Sequence, residues 1–468
     1  MRLNSVWNWI INSNAGIDER TFLSYEFGSF LTSKKRMLMI TSKEYYRGNQ
    51  DIAHKQRTMV DQNNIEHLLH NVANNIICDN KVDDLVDQKT NYLLGKPLDV
   101  QCDDDELKEL LDMSFMNQLK SVGREAIKCG VAYLVPYFDE RGQLKFKKLK
   151  SENVLPFWRD EEHKELDGFL YCYDIQKYKQ DGSTETIHKV EYYSLNGIKY
   201  FIWKNGKLLV DTDRDNPEVS HYYDGTSPMN WSKVPLITFK ANEEELPILS
   251  KVKCLQDALN TLESNWLDNM CEDVRSTILV IKNYDGEDLS KFRHNLAAYG
   301  AIKVNTVDGV QGGVETLTIK VDSSNYQVLV NCLKRAIIEN GRGFDAKDDR
   351  MSNNPNQMNI QSMYSDIDLD AHDMESEFQS ALLLLLEFVE EALNKKLEAT
   401  FIFNRDLPVN QSEVINNCKN STGLISKRTI VANHPWVRDT DEELDQLQKE
   451  EKESLPIDYV DPLHGDEE

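Results

Sequence analysis

The run from Pro247 to Val274 sets the scale of the fold. Ile248, Val252, Leu255, Leu259, Leu262, Trp266, Met270 and Val274 recur at spacings of three and four, which is one face of a helix. Pro247 suits a first turn, and Glu243 to Glu245 favour the positive helix end. Lys253, Gln256, Asp257, Asn260, Glu263 and Asp268 fall opposite and read as the polar face. Such a rod is about 40 Å long at about 1.5 Å per residue. A second stripe, Tyr326, Leu329, Val330, Leu333 and Ile337, predicts a helix over about 324–340 that stops at Gly341. The two can run side by side, and their apolar stripes need partners that neighbouring copies can supply. A charge at Leu259 or Leu262 is therefore expected to disrupt assembly.

The rest of the chain arranges itself around this pair. Residues 1–75 read as helical and polar, with a turn at Gly48, and a stripe through Val82, Leu85, Val86, Lys89, Tyr92 and Leu93 predicts a helix over 81–95. Gly95 suits its C-terminal cap and Pro97 blocks continuation. Another helix is expected over 104–129. From 131 to 240 the texture becomes short β-rich runs, such as "VAYLVPYFD" and "FLYCYDI", separated by glycine turns, which predicts antiparallel sheet. Between the two rods, residues 275–321 read as a small strand–helix–strand–strand unit. "GRGFDAKDDRMSNNPNQ" at 341–357 lacks core formers and reads as a mobile loop. A long helix over about 358–397 follows, then a strand at "ATFIFNRDLP" and helices over 411–453, with Thr440 and Glu443 spaced as a capping box. The fold class is α+β.

Composition restricts the function. The 468 residues carry 54 Lys and Arg against 79 Asp and Glu, a formal charge of −25, which disfavours tight binding to nucleic acid or anionic membrane. Much of the excess sits in 439–468, where Lys449 and Lys452 are the only Lys or Arg residues. The eight cysteines stand singly with no C-x-x-C pair, as in a reduced, intracellular setting. The N-terminus lacks a signal-peptide core. The longest apolar run, "ALLLLLEFV" at 381–389, is far short of the roughly 20 residues a bilayer requires.

No motif argues for catalysis. Gly95-Lys96 has the closing pair of a phosphate loop, but Thr90 stands where the first glycine belongs and Pro97 where the hydroxyl belongs. The helix simply stops there. His67 and His70, three apart on an expected helix, have no third metal ligand nearby. No G-x-S-x-G occurs, and Asp83-Asp84 and Asp103 to Asp105 read as solvated faces or caps. Arg342, Lys347 and Arg350 can touch a polyanion, or can be a loop balanced by Asp345, Asp348 and Asp349.

Five stretches, in order, resemble the siphophage-type portal proteins of tailed bacteriophages: "YYRGNQDI" (45–52), "LVDQKTNYLLGKPLDV" (85–100), "ILVIKNYDGEDLSKFRHNLAAYGAIKV" (278–304), "MNIQSMYSDIDLDAHDMESEFQSALLLLLEFVEEAL" (358–393) and "GLISKRTIVANHPWVRDTDEELDQLQKE" (423–450). The resemblance implies a non-enzymatic homo-oligomer, a dodecamer without cofactor or membrane. It would form the channel at one capsid vertex through which double-stranded DNA is packaged and ejected. It implies a wing over 1–246, stem helices over 247–274 and 322–340, a clip over 275–321 and a tunnel loop over 341–357. A wing helix and strand over 358–410 and a crown with acidic tail over 411–468 complete it. The implied partners are the terminase large subunit, a head-completion adaptor, the major capsid protein and a scaffolding protein, first in the host cytoplasm and then in the virion.

Residue by residue, Arg342, Lys347, Arg350, Asn353 and Asn354 would meet DNA. Leu255, Leu259, Leu262, Trp266 and Leu333 would pack the stem. Asp285, Glu287, Lys291 and Arg293 would face the terminase or adaptor, and Tyr92, Gly95 and Pro97 would form a structural motif. The loop "FDAKDDRMSNNPNQ" is polar and charged, without the small-residue run of some members of the family it resembles. A ring of such chains would carry on the order of −300, a lumen that repels DNA and keeps it centred. The alternatives are a nucleotide- or DNA-processing enzyme with an unrecognised site, or a monomeric scaffold.

Overall fold

A computed structural model describes residues 18–60, 64–69, 72–179, 182–273, 278–282, 313–317, 323–345, 357–405, 410–437 and 439–453. Helices α1 (Glu19–Leu31) and α2 (Lys34–Tyr46) lead through a 3-10 turn into the hairpin β1 (Thr58–Val60) and β2 (Glu66–Leu68). An extended segment then reaches α3 (Lys81–Leu94), followed by β3 (Asp99–Gln101), α4 (Asp105–Leu110) and α5 (Met113–Cys129). The β-rich region holds β4 (Val131–Phe138), β5 (Leu144–Leu149), β6 (Val154–Trp158), β7 (Leu166–Tyr178), β8 (Thr184–Ser194), β9 (Gly197–Lys204) and β10 (Lys207–Val210). It continues with β11 (Glu218–Val219), β12 (Tyr222–Asp224), β13 (Ser227–Met229) and β14 (Ile237–Lys240). Next come α6 (Leu249–Asp273), β15 (Ile278–Lys282), β16 (Gly313–Leu317), α7 (Ser323–Asn340) and α8 (Gln357–Leu393). The described chain ends with β17 (Thr400–Ile402), α9 (Gln411–Asn420), α10 (Lys427–Ala432) and α11 (Thr440–Glu453).

All described strand pairs are antiparallel, including β15 with β16 from Ile278↔Leu317 to Lys282↔Gly313. One sheet runs β10-β9-β8-β7-β6 with β11 on β9, and another runs β14-β4-β5. Helix α1 closes the first sheet: Leu23 and Phe27 bury against Phe157, Val190 and Leu208, and Phe27 meets Trp203 edge-on at 4.9 Å. The main core lies where α3, α5, α6, α7 and α8 meet β14 and β4.

Several boundaries differ from expectation for local reasons. The helix expected over 104–129 breaks at Leu111, and the Asp112 carboxylate accepts from Phe115 N at 2.8 Å to start α5 afresh. Residues 1–75 are not helical throughout, since β1 pairs with β2. His67 sits in that hairpin rather than on a helix, and His70 lies outside the described residues. Helix α6 begins two residues after Pro247. Helix α8 ends at Leu393, where Asn394 takes a positive φ of 51°, and the following strand covers only three residues. Asp439, not Thr440, caps α11: its carboxylate accepts from the amides of Asp441 and Glu442 at 2.9 and 3.1 Å. The helical C-terminal region is three helices separated by breaks.

The largest correction concerns α6. Gln256, Asn260 and Asp268, read as solvent-facing, are buried together with Ser264. Their side chains accept from alternate amides of residues 75–81: Asn75 N to Asp268 at 2.6 Å, Ile77 N to Ser264, Asp79 N to Asn260 and Lys81 N to Gln256 at 3.0 Å each. Four helical residues rise about 6 Å and two extended residues span about 6.6 Å, so the registers match along the run. Gln256 also donates to Asp79 O at 2.7 Å. Lys55 supplies the countercharge for Asp268 at 2.6 Å. A segment with no sheet partner thus has its alternate amides satisfied by a helix, as burial demands.

The turn into α6 is fixed by Gly130 and Glu245. Gly130 ends α5 at φ 84°, and a Cβ there would lie 2.0 Å from the Glu245 carbonyl oxygen. The buried Glu245 carboxylate meets Lys35 at 2.5 Å and His163 Nδ1 at 2.6 Å. Burial would raise its pKa, but the His163 bond and the Lys35 charge outweigh burial and hold it at about 2 against an ordinary 4.5.

Two outcomes are expected. Asn260→Ala strands Asp79 N and Gln50 and lowers unfolding free energy by about 1–3 kcal/mol in urea titration; a change under about 0.5 kcal/mol contradicts the ladder. Because Glu245 is depressed in the folded state, its stabilisation is complete above about pH 4.5 and is lost as pH falls toward 2. Denaturation midpoints of Glu245→Gln should therefore fall less between pH 5 and pH 3 than those of the parent; parallel curves contradict this.

Candidate functional site: the α3 hub

Helix α3 carries "LVDQKTNYLLGKP", and eight of its 14 residues are buried, Lys89 among them. Asn80 starts it, its side chain accepting from Val82 N at 3.2 Å. The ladder from α6 fixes its N-terminal end, since Lys81 N is the last rung. Leu94 packs into α5 where Gly123 leaves room; a Cβ there would lie 2.3 Å from Leu94 Cδ1.

The polar residues of α3 reach α8 and the end of α7. Lys89 Nζ donates to Asp370 at 2.6 Å and to the Arg342 carbonyl at 3.1 Å. Burial pushes the Lys89 pKa down. Burial works against the Asp370 charge too, but Lys89 and Lys251 hold its carboxyl below the ordinary range. Gln88 donates to Phe344 O and accepts from Phe344 N, both at 3.0 Å. Tyr92 donates to Asp368 at 2.8 Å and stacks on Tyr364, which in turn stacks on Phe344 at 4.3 Å. Arg405 joins Asp368 and Glu375 from beyond β17.

The residues singled out in the sequence divide clearly. Tyr92 is buried, whereas Gly95 and Pro97 are exposed at the end of α3. A Cβ at Gly95 would lie 2.2 Å from the Asn91 carbonyl oxygen. The Gly95-Lys96 pair sits at a helix C-terminus, the negative end of the macrodipole, where a phosphate is repelled. Arg342 is not a free mobile cation: it donates to Asp370 at 2.6 Å. Lys347, Arg350, Asn353 and Asn354 lie outside the described residues, as do Asp285, Glu287, Lys291 and Arg293.

Leu259 is fully buried in the chain's own core, with Leu255, Leu262 and Leu333 packed against that core. A charge at Leu259 therefore acts first on the subunit's fold, not on assembly. Trp266 stacks on Tyr326 at 5.8 Å, and Lys334 of α7 bridges Asp79 and Glu263 at 2.8 and 3.1 Å, so α6 and α7 do lie side by side. Sequence reasoning missed Lys89 and Gln88 as contacts to the loop. Their signal was a buried-face position occupied by Lys.

One acidic group has metal-ligand spacing. Glu125, Cys129 and Glu152 bring ligand atoms within 4.8 Å of one another. Lys43 already occupies the middle, 2.7 Å from Glu125 and 2.8 Å from Glu152. Burial pushes the Cys129 thiol well up, so a protonated thiol and the Lys43 ammonium, rather than a metal ion, complete this cluster.

The family model described as "Phage portal protein, SPP1 Gp6-like" matches residues 33–456. The chain belongs to this portal protein family. It is 27% identical over 428 residues to the portal protein of Bacillus phage SPP1, covering 88% of this chain and 83% of that one. It is 27% identical over 440 residues to the portal protein of Clostridium phage phiCD119, covering 89% and 93%. Among solved structures it resembles the neck of a native gene transfer agent particle at a TM-score of 0.40 and 10% identity, covering 76% of this chain and 89% of that chain. A likeness that low adds nothing to the family assignment. The hub helix is thus part of a phage portal protein, a structural family and a virion component.

Tyr92→Phe should lower stability by about 1.5–3 kcal/mol, the range for a hydrogen bond to a charged group. Calorimetry checks this, and an unchanged melting temperature contradicts the hub's polar closure.

Proposed function

We propose that twelve copies close into a ring at one capsid vertex, around a channel through which double-stranded DNA is packaged and ejected without sequence specificity. The family match from residue 33 to 456 carries this reading. The charge supports it: a −25 chain avoids the counterion release that would hold duplex tightly, so DNA can slide. Helices α6 and α7 serve as the stem, with 275–321 as the clip that receives the terminase large subunit and later a head-completion adaptor. Major capsid and scaffolding proteins meet the wing over 1–246, and 411–468 forms the crown. Assembly takes place in the host cytoplasm, and the ring ends in the virion. Met270, Val328 and Leu329 leave apolar surface on the stem pair for the neighbouring copy.

Among the described residues no helix is long and apolar enough to cross a membrane. The enzyme alternative predicts ATP turnover by the purified chain; the portal reading expects none without the terminase. Native mass measurement should find a species of about 650 kDa, twelve copies of a 54.1-kDa chain, with annular particles in electron micrographs. A chain that stays near 54.1 kDa and forms no annular particle in phage heads contradicts the reading.

A further inference from the structure

Residues 341–344 combine a clamped backbone with one releasable side chain. Gly341 and Gly343 press against Leu85, where a Cβ would lie 2.6 and 2.4 Å from its methyl carbons. Lys89 holds the Arg342 carbonyl, Gln88 holds both backbone groups of Phe344, and Arg342 itself takes a positive φ of 49°. The Arg342 guanidinium, by contrast, is 46% exposed, and among the described residues its one ion-pair partner is Asp370. Asp370 has three: Arg342 at 2.6 Å, the buried Lys89 at 2.6 Å and Lys251 at 3.7 Å. One carboxylate therefore faces three cations, and losing the exposed one leaves it neutralised.

We propose that Arg342 is an exchangeable arm that rests on Asp370 and moves to a phosphate of duplex DNA in the channel. Lys89 and Lys251 keep Asp370 paired while it is away. This rests on the DNA-channel reading and adds its contact chemistry. A guanidinium fork matches phosphate oxygens as well as it matches a carboxylate, so the exchange conserves bonding. Asp366 and Asp373 on neighbouring turns of α8 add negative field at the arginine, which draws it back and keeps the contact brief. The clamped backbone places the arm at a fixed point, and only the side chain moves.

Fluorescence anisotropy of a duplex of about 30 base pairs on the assembled full-length protein, at several salt concentrations, tests this. Asp370→Asn frees the arm and should tighten binding about threefold or more. Asp373→Asn makes the same charge change without releasing it and should shift binding less than about twofold. The gain from Asp370→Asn should vanish in the Arg342→Gln background. Arg342→Gln alone should weaken binding and flatten its salt dependence, with the melting temperature within about 2 °C of the parent. Equal gains from Asp370→Asn and Asp373→Asn overturn the proposal. So does an Arg342→Gln protein that loses several degrees of stability but binds duplex as before, and this arm decides alone if Asp370→Asn does not assemble. A parent protein that binds no duplex even at low salt also overturns the arm, since it then reaches no phosphate, whereas failure to form a ring at all contradicts the channel reading, a result distinct from these.

Discussion

An extended segment lying on a helix, rather than in a sheet, is the contact from which the rest of the molecule is built. The amides of Asn75, Ile77, Asp79 and Lys81 find partners in Asp268, Ser264, Asn260 and Gln256, at a helical spacing of four against an extended spacing of two. A shift of one residue on either side would aim amides at apolar side chains or solvent, so the pairing fixes register as a sheet does. It therefore sets where α3 begins, and α3 places everything it touches: α5 through Leu94, the end of α7 through Gln88 and Lys89, and α8 through Lys89 and Tyr92.

Charge is arranged with the same economy. In a chain with 79 acidic side chains and 54 basic ones, several buried or half-buried acids have a lysine partner, while the buried Glu191 accepts from the Tyr173 and Tyr193 hydroxyls. Glu125 has Lys43, Glu245 has Lys35, Asp268 has Lys55 and Asp370 has Lys89. Breaking such a buried pair is costly because it leaves a desolvated charge alone. Much of the excess acid falls in residues 439–468 of the sequence, where it adds to the net negative charge of the chain.

Much of the architecture was legible in the sequence because it rests on periodicity. The α3, α6, α7 and α8 stripes and the antiparallel strands between glycine turns appear close to their expected positions. Misreadings arose where a polar residue was taken as solvent-facing. Gln256, Asn260, Ser264 and Asp268 recur every four residues, which also fits a buried polar stripe when an aperiodic segment such as 72–80 is available to cover it. A charge at Leu259 was expected to disrupt assembly because a stripe shows only that a partner exists, not which chain supplies it. Arg342 read as mobile because its partner Asp370 lies 28 residues away on another helix. Gly95-Lys96 was legible in full, since Pro97 excludes a phosphate loop on composition alone.

Family membership and the hub describe one object at two scales: a portal-family subunit in which α6 and α7 lie side by side, bridged by Lys334 to Asp79 and Glu263. The claim that the ladder holds α6 to the N-terminal region is tested most directly by hydrogen exchange. The amides of Asn75, Ile77 and Asp79, which have no helix or sheet bonds, should exchange as slowly as α6 itself. Exchange at the rate of an exposed loop would show that the ladder does not hold, and the account of how α3 is placed would fall with it.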